Sequence, residues 1–321
     1  MKIFFLDPAT VDLGDVDLKN LRRLGDYHAL KHCPRGKLPR KVRDAEVLIT
    51  NKVRLDRENL SQFNKVKLIC VAATGFNNIA LEAARQMGIA VTNVAGYSTD
   101  TVVAHTFMFL LAFAHRLGEH HRAVLAGEWS RSPYFTLLDY PFEDLTGKTL
   151  GILGYGTIGK KVARIAKAFR MHVLVARLPG RRYPQGKGPQ RVSLPTLLQK
   201  SDFISLHCSL SPATEGLIDT AALKRMKPSA FLLNLARGPV VVEEDIVRAL
   251  EKKLISGYAT DVTTREPLPR NHPFLRKSLA KKIWLTPHVA WASRESRQRL
   301  IDEIAKNIAA FQKGRRRNRL V

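Results

Sequence analysis

Lys148-Thr149-Leu150-Gly151-Ile152-Leu153-Gly154-Tyr155-Gly156-Thr157-Ile158-Gly159 runs straight into KKVARIAKAFR. An apolar strand, a glycine turn and an amphipathic helix thus follow one another without a gap. Gly154 permits a tight turn, Gly156 lets the backbone approach a pyrophosphate, and Gly159 lets helix pack on strand. The freed N–H groups and the helix dipole suit phosphate oxygens. The stretch therefore predicts a dinucleotide site at Gly154, Tyr155, Gly156, Thr157, Ile158 and Gly159. A turn that binds nothing is the plainer alternative, and the placement between strand and helix weighs against it.

Outward from this turn the pattern continues. Strands are expected at Thr149–Leu153, 173–176, 203–207, Phe231–Asn234, 256–260 and 283–286, with helices at 158–170, 193–199, 221–226 and 242–252 between them. Six such strands predict one doubly wound parallel sheet. Before it, short apolar runs at 2–6, 46–50, 68–72 and 90–93 alternate with helical stretches such as 79–87. A long helix is expected from residue 99 or 100 to about 117, then a connecting loop over 127–144. A last helix over 293–312 carries Leu300, Ile304, Ile308 and Phe311 on one face. The first region plus this helix forms a second, smaller α/β unit.

Position 177, about 20 residues past the glycines, is where an NAD site wants a carboxylate for the ribose 2′-OH. Arg177 stands there, followed by Leu-Pro-Gly-Arg181-Arg182, and no acidic residue lies between Ile158 and Ser201. Guanidinium groups at 177, 181 and 182 suit a 2′-phosphate, which favours NADP over NAD. The plainer alternative is the general basicity of the chain.

That basicity is large: 53 Lys and Arg against 28 Asp and Glu leave +25 over 321 residues. Such a field attracts polyanions and small anionic substrates alike. The densest run, KGRRRNR at 313–319, offers a grip for nucleic acid or an acidic partner, against the plainer reading of a solvated end. No helix-turn-helix, zinc-finger or RNA-binding pattern accompanies it. The 45% hydrophobic share is that of a globular protein, and the apolar run at 106–114 is too short to span a bilayer. Cys33, Cys70 and Cys208 lie far apart with no metal-ligand spacing, so reduced thiols and no metal are expected. The start MKIFFLDPAT carries no signal pattern, which makes the cytoplasm the default expectation.

Three further residues sit at or just past expected strand ends: Arg237 in NLARG, Glu266 in DVTTREP and His288 in TPHVA. Reducing a 2-keto acid needs a cation for the carboxylate, an acid at the carbonyl oxygen and a partner that holds this acid protonated. Arg, His and Glu supply those chemistries. Singly each has a bland alternative, as surface charge, loop solubiliser or core histidine.

Taken with Ala73-Thr74-Gly75-Phe76-Asn77-Asn78-Ile79, the helix around Val103-Ala104-His105-Thr106-Phe107 and Ser205-Leu206-His207-Cys208-Ser209-Leu210, these motifs run in one order through almost the whole chain. The sequence resembles the D-2-hydroxyacid dehydrogenases. Within that family, Gly127–Phe135 and Asp139-Tyr140-Pro141 are similar to the glycerate dehydrogenases, or hydroxypyruvate reductases. The resemblance implies two doubly wound α/β domains, with a Rossmann cofactor domain (99–288) inserted into a smaller flavodoxin-like substrate domain (1–98 and 289–321). By the same likeness Arg237 binds and polarises the keto acid, His288 donates and accepts the proton, and Glu266 pairs with it. Asp261 contacts the nicotinamide amide, Thr74 and Gly75 hold the substrate carboxylate, and His207, Cys208 and Ser209 line the adenosine side. Thr106 completes the cofactor set. A homodimer is implied too, with the apolar helix at 101–117 as its support. Two departures stand out: Arg177 in place of the NAD-type carboxylate, and the polar Thr263-Thr264-Arg265 before Glu266. Some relatives of the family are nucleotide-sensing co-repressors, which keeps a binding protein without turnover as the alternative.

Overall fold

Two parallel sheets organise the computed structural model, which describes residues 1–30, 33, 38–183 and 190–321. The chain divides into one compact unit of Met1–Ser98 with Trp291–Val321 and another of Thr99–Ala290. The second ends two residues past the expected boundary, because Val289 and Ala290 donate their N–H groups to Asp261.

The smaller unit holds β1 (Lys2–Phe5), β2 (Asp26–Ala29), β3 (Val47–Thr50), β4 (Leu68–Val71) and β5 (Ala90–Thr92) in the order β2-β1-β3-β4-β5. β3, β4 and β5 are buried throughout, as an all-parallel sheet covered on both faces requires. β2 is an edge strand of sequence DYHA with no buried residue, so neither hydrophobicity nor alternation announces it. Helix Arg294–Gln312, capped by the Ser293 hydroxyl accepting from Ser296 N–H, buries Leu300, Ile301, Ile304 and Ile308 in this unit. The basic tail is part of the fold rather than a loose arm. Arg317 pairs with Glu303 at 2.5 Å and with Asn307 at 2.7 Å, and residues 318–321 hydrogen-bond to Val91 and Asn93 along β5.

In the larger unit lie β6 (Thr149–Leu153), β7 (His172–Ala176), β8 (Arg191–Val192), β9 (Phe203–Leu206), β10 (Phe231–Asn234), β11 (Gly257–Thr260) and β12 (Ile283–Leu285). Their order is β12-β11-β10-β9-β6-β7-β8, all parallel, with the chain switching direction at β6. One more strand is present than expected, the two-residue β8. The expected helix to residue 117 stops at Ala114. Arg116 adopts a left-handed conformation (φ 48°), and a second helix, Leu117–Leu125, leaves at 62° to the first. Among the described residues no single helix is long and apolar enough to cross a membrane. Helix Thr99–Ala114 is mostly buried in its own unit, which removes it as the support for a dimer. Exposed apolar side chains gather instead on Leu125, Tyr134, Phe135 and Leu138, with Phe135 92% exposed.

Candidate active site

Open parallel sheets place their ligands beyond the carboxyl ends of the strands, at the switch point. In the larger unit that edge carries the glycine turn after β6, flanked by the ends of β7 and β9. Gly154 has φ 102°, and a Cβ there would lie 2.5 Å from Cys208 N and the His207 carbonyl carbon. A Cβ on Gly159 would meet the Gly154 carbonyl oxygen at 2.1 Å, whereas one on Gly156 would meet open space. The helix that follows, Thr157–Ala168, has no side-chain cap and no acid in its first turn. Helices beginning at Leu194 and Thr220 are capped by Ser193 and Asp219. His207 lies against the turn with a buried Nδ1 that has no partner among the described residues. An uncapped positive helix end, an open cradle at Gly156 and an unsatisfied polar atom together fit a dinucleotide diphosphate.

His207 is held by its Nε2 to Ser205 Oγ at 2.8 Å, and burial pushes its pKa down to about 4. Unfolded, the same ring charges near 6.5. The unfolded chain therefore binds the proton first, and stability is complete above pH 6.5 and lost as pH falls toward 4. The loss is on the order of 3 kcal/mol. His207→Gln should flatten this acid limb in thermal melts; an unchanged limb would assign it to other groups. Cys208 is buried, which raises its thiol pKa, while Arg181 opposes that rise and so lies within electrostatic reach of the β9 end.

At the end of β7, Arg177, Arg181 and Arg182 are exposed. Sequence reasoning missed Arg191. Its guanidinium lies 4.2 Å from the Tyr183 ring centroid and 5.7 Å from that of Tyr155 in the glycine turn, and it donates to the Ala176 carbonyl at 3.3 Å. Nothing in the local sequence marks it, because β8 carries it back beside β7.

Adjacent ends of β10, β11 and β12 carry the second cluster. Arg237 follows β10 half-buried; its Nη1 donates to the Ala236 carbonyl at 2.7 Å, and no carboxylate pairs with it among the described residues. Asp261, 3% exposed at the end of β11, accepts from the Thr286 hydroxyl at 2.6 Å and from Val289 and Ala290 N–H at 2.8 Å each. His105 Nε2 lies 2.9 Å from the same Thr286 oxygen, and burial lowers its pKa against the pull of Asp261. This chain of bonds fixes the 286–290 segment, where His288 is left-handed (φ 56°). His288 Nδ1 meets Glu266 Oε2 at 2.7 Å, and Glu266 Oε1 accepts from Thr263 N–H at 3.0 Å. The structure thus pairs His288 with Glu266. Thr106 is a correction: its side chain is fully buried and its hydroxyl donates to the Val102 carbonyl at 2.8 Å, so it offers no surface to a cofactor.

In the smaller unit Thr74 and Gly75 follow β4. The Thr74 hydroxyl donates to the Val94 carbonyl at 2.9 Å, and Asn93 Nδ2 donates to the Thr74 carbonyl at 2.7 Å. Nearby in this unit Asp7, whose burial raises its pKa, accepts from Asn51 and Lys52 N–H at 2.8 and 2.6 Å.

A nucleotide cradle at the switch point and a His–Glu pair on the same sheet edge define a dehydrogenase of the dinucleotide-binding α/β class. The family profile described as D-isomer specific 2-hydroxyacid dehydrogenase, NAD binding domain, matches residues 107–290, and the chain belongs to that family. It is 35% identical over 317 residues to a hydroxypyruvate reductase of Blautia hydrogenotrophica, covering 98% of each chain. It is 36% identical over 321 residues to a glycerate dehydrogenase of Methylorubrum extorquens, covering 99% of this chain and 98% of the relative. Among solved structures, an acyclic imino acid reductase (Bsp5) in complex with NADPH and D-Arg superposes with a TM-score of 0.83, at 26% identity and full coverage of both chains. The protein is an NAD(P)-dependent oxidoreductase; the co-repressor alternative is not favoured.

Proposed function

We propose that the protein reduces small 2-keto acids, hydroxypyruvate or glyoxylate foremost, to D-2-hydroxy acids, with NADPH preferred to NADH. The observation that carries this reading is the 2.7 Å pair of His288 and Glu266, two strands along the sheet edge from a half-buried arginine without a carboxylate partner among the described residues. Arg237 binds the substrate carboxylate and polarises the carbonyl. When bound, the nicotinamide supplies the hydride to the keto carbon. His288 gives the keto oxygen a proton from Nε2 while Glu266 holds the Nδ1 side, so reduction gains at lower pH and oxidation at higher pH. Asp261 orients the His288 segment and contacts the nicotinamide amide. His207, Cys208 and Ser209 line the adenosine side, and Arg177, Arg181, Arg182 and Arg191 take the 2′-phosphate. The NADPH complex of the imino acid reductase and the names of the two relatives support this reading.

We also infer a homodimer, supported by the exposed apolar side chains between Leu125 and Phe142. A matrix of NADH and NADPH against a panel of 2-keto acids, followed by absorbance, tests the whole. NADPH with hydroxypyruvate or glyoxylate should give the highest turnover. A large NADH excess would refute the cofactor preference, and silence with every keto acid would refute the reductase. Light scattering of the same sample should give twice 36.0 kDa; a single chain's mass would remove the dimer.

A further inference from the structure

Glu243 opens helix Glu243–Glu251, six residues after Arg237. Its side chain is 11% exposed and both its oxygens are engaged. Oε1 accepts from Thr264 N–H at 2.8 Å, and Oε2 lies 3.2 Å from His272 Nε2. His272 Nδ1 accepts from Phe274 N–H at 3.3 Å, which puts the ring proton on Nε2 and makes that nitrogen the donor to Glu243. The His272 side chain is 12% exposed, so this ion-compatible pair is largely shielded from water.

What Glu243 grips is the loop that aims Glu266. Thr263 N–H donates to Glu266 Oε1 at 3.0 Å, and the Thr263 hydroxyl donates to the Arg265 carbonyl at 3.0 Å. The next N–H, that of Thr264, goes outward to Glu243. Residues 263–264 are therefore fastened on one side to the carboxylate that faces His288 and on the other to the Glu243–His272 pair. A second, steric observation joins Arg237 to the same loop. A Cβ on Gly238 would lie 2.1 Å from Thr263 C and 2.3 Å from Thr264 N, so only glycine lets the arginine's turn rest against that backbone. Glu243 also lies within electrostatic reach of the buried Tyr258 hydroxyl, whose ionisation burial opposes first and Glu243 further.

We propose that Glu243, with His272, is a positioning residue for catalysis: it clamps the 263–266 loop so that Glu266 meets His288 Nδ1. The inference rests on reading Glu266 and His288 as the working acid pair. Without the clamp Thr264 N–H loses its acceptor, the loop relaxes, and the counter-charge moves away from the imidazolium. Reduction then loses the carboxylate that orients its proton donor.

The test compares kcat and KM of keto-acid reduction for the full chain and its E243A, H272A, E243Q and E266Q variants, with NAD(P)H binding followed by fluorescence. In E266Q and E243A kcat should fall about tenfold with KM for the keto acid nearly unchanged. It should fall less in H272A, where Glu243 keeps Oε1 on Thr264. E243Q, which retains that acceptor, should restore most of kcat. NAD(P)H affinity should change less than threefold in all four. If E266Q leaves kcat in place, the acid-pair reading fails and the clamp with it. If E266Q lowers kcat while E243A leaves it in place, or E243Q falls as far as E243A, the clamp alone is overturned. Should E243A not fold, an unchanged kcat in H272A overturns it.

Discussion

His288→Ala is expected to lower keto-acid reduction by about 10²–10⁴-fold while leaving NAD(P)H binding intact. His288 has a left-handed backbone and a side chain bonded to a carboxylate, an arrangement held by Asp261 through Thr286, Val289 and Ala290. Alanine keeps those backbone bonds, so the loss falls on the proton and not on the fold. Stopped-flow absorbance in the first turnover separates the two. Near-normal turnover in the variant would remove His288 as the donor and leave Arg237 and the nucleotide to carry the reaction.

Gly154→Ala should do comparable harm by a different route. The new methyl would sit 2.5 Å from backbone atoms of His207 and Cys208 on a residue held at φ 102°. Both the left-handed cost and the clash act on backbone, which cannot rotate away as a side chain does, and together they cost about 3 kcal/mol. The turn must then open, and the N–H groups facing the diphosphate lose their common aim. Nucleotide affinity should fall roughly 100-fold, read by quenching of intrinsic fluorescence, with a lower melting temperature in the absence of nucleotide. Wild-type affinity in Gly154→Ala would show that the phosphates lie elsewhere.

Buried parallel strands are continuous apolar runs, so VLIT, LICV and TLGIL could be read directly from their letters, together with the glycine turn between strand and helix. β2 and β8 could not, since an exposed edge of DYHA and a pair of residues carry no periodic signal. The bend at Arg116 was hidden because a left-handed arginine looks like any other helix former. Residue types at 237, 266 and 288 suggested a chemistry, each with a bland alternative, and only the folded backbone shows that Glu266 reaches His288 across 22 positions. Glu243 and Arg191 were invisible for the same reason: their partners lie far off in sequence, and each alone is an ordinary charge on a helix or strand.

The smaller unit has a consequence for how the protein comes to exist. Its sheet is made of the first 98 residues, yet the helix burying Leu300, Ile304 and Ile308 and the segment paired with β5 belong to the last 31. During synthesis the ribosome delivers the whole of Thr99–Ala290 before that cover exists. The insert, with all its strands contiguous, can therefore fold while the chain is still attached, whereas the earlier-made sheet must wait with one face uncovered until residues 291–321 follow. The part translated first is the part completed last.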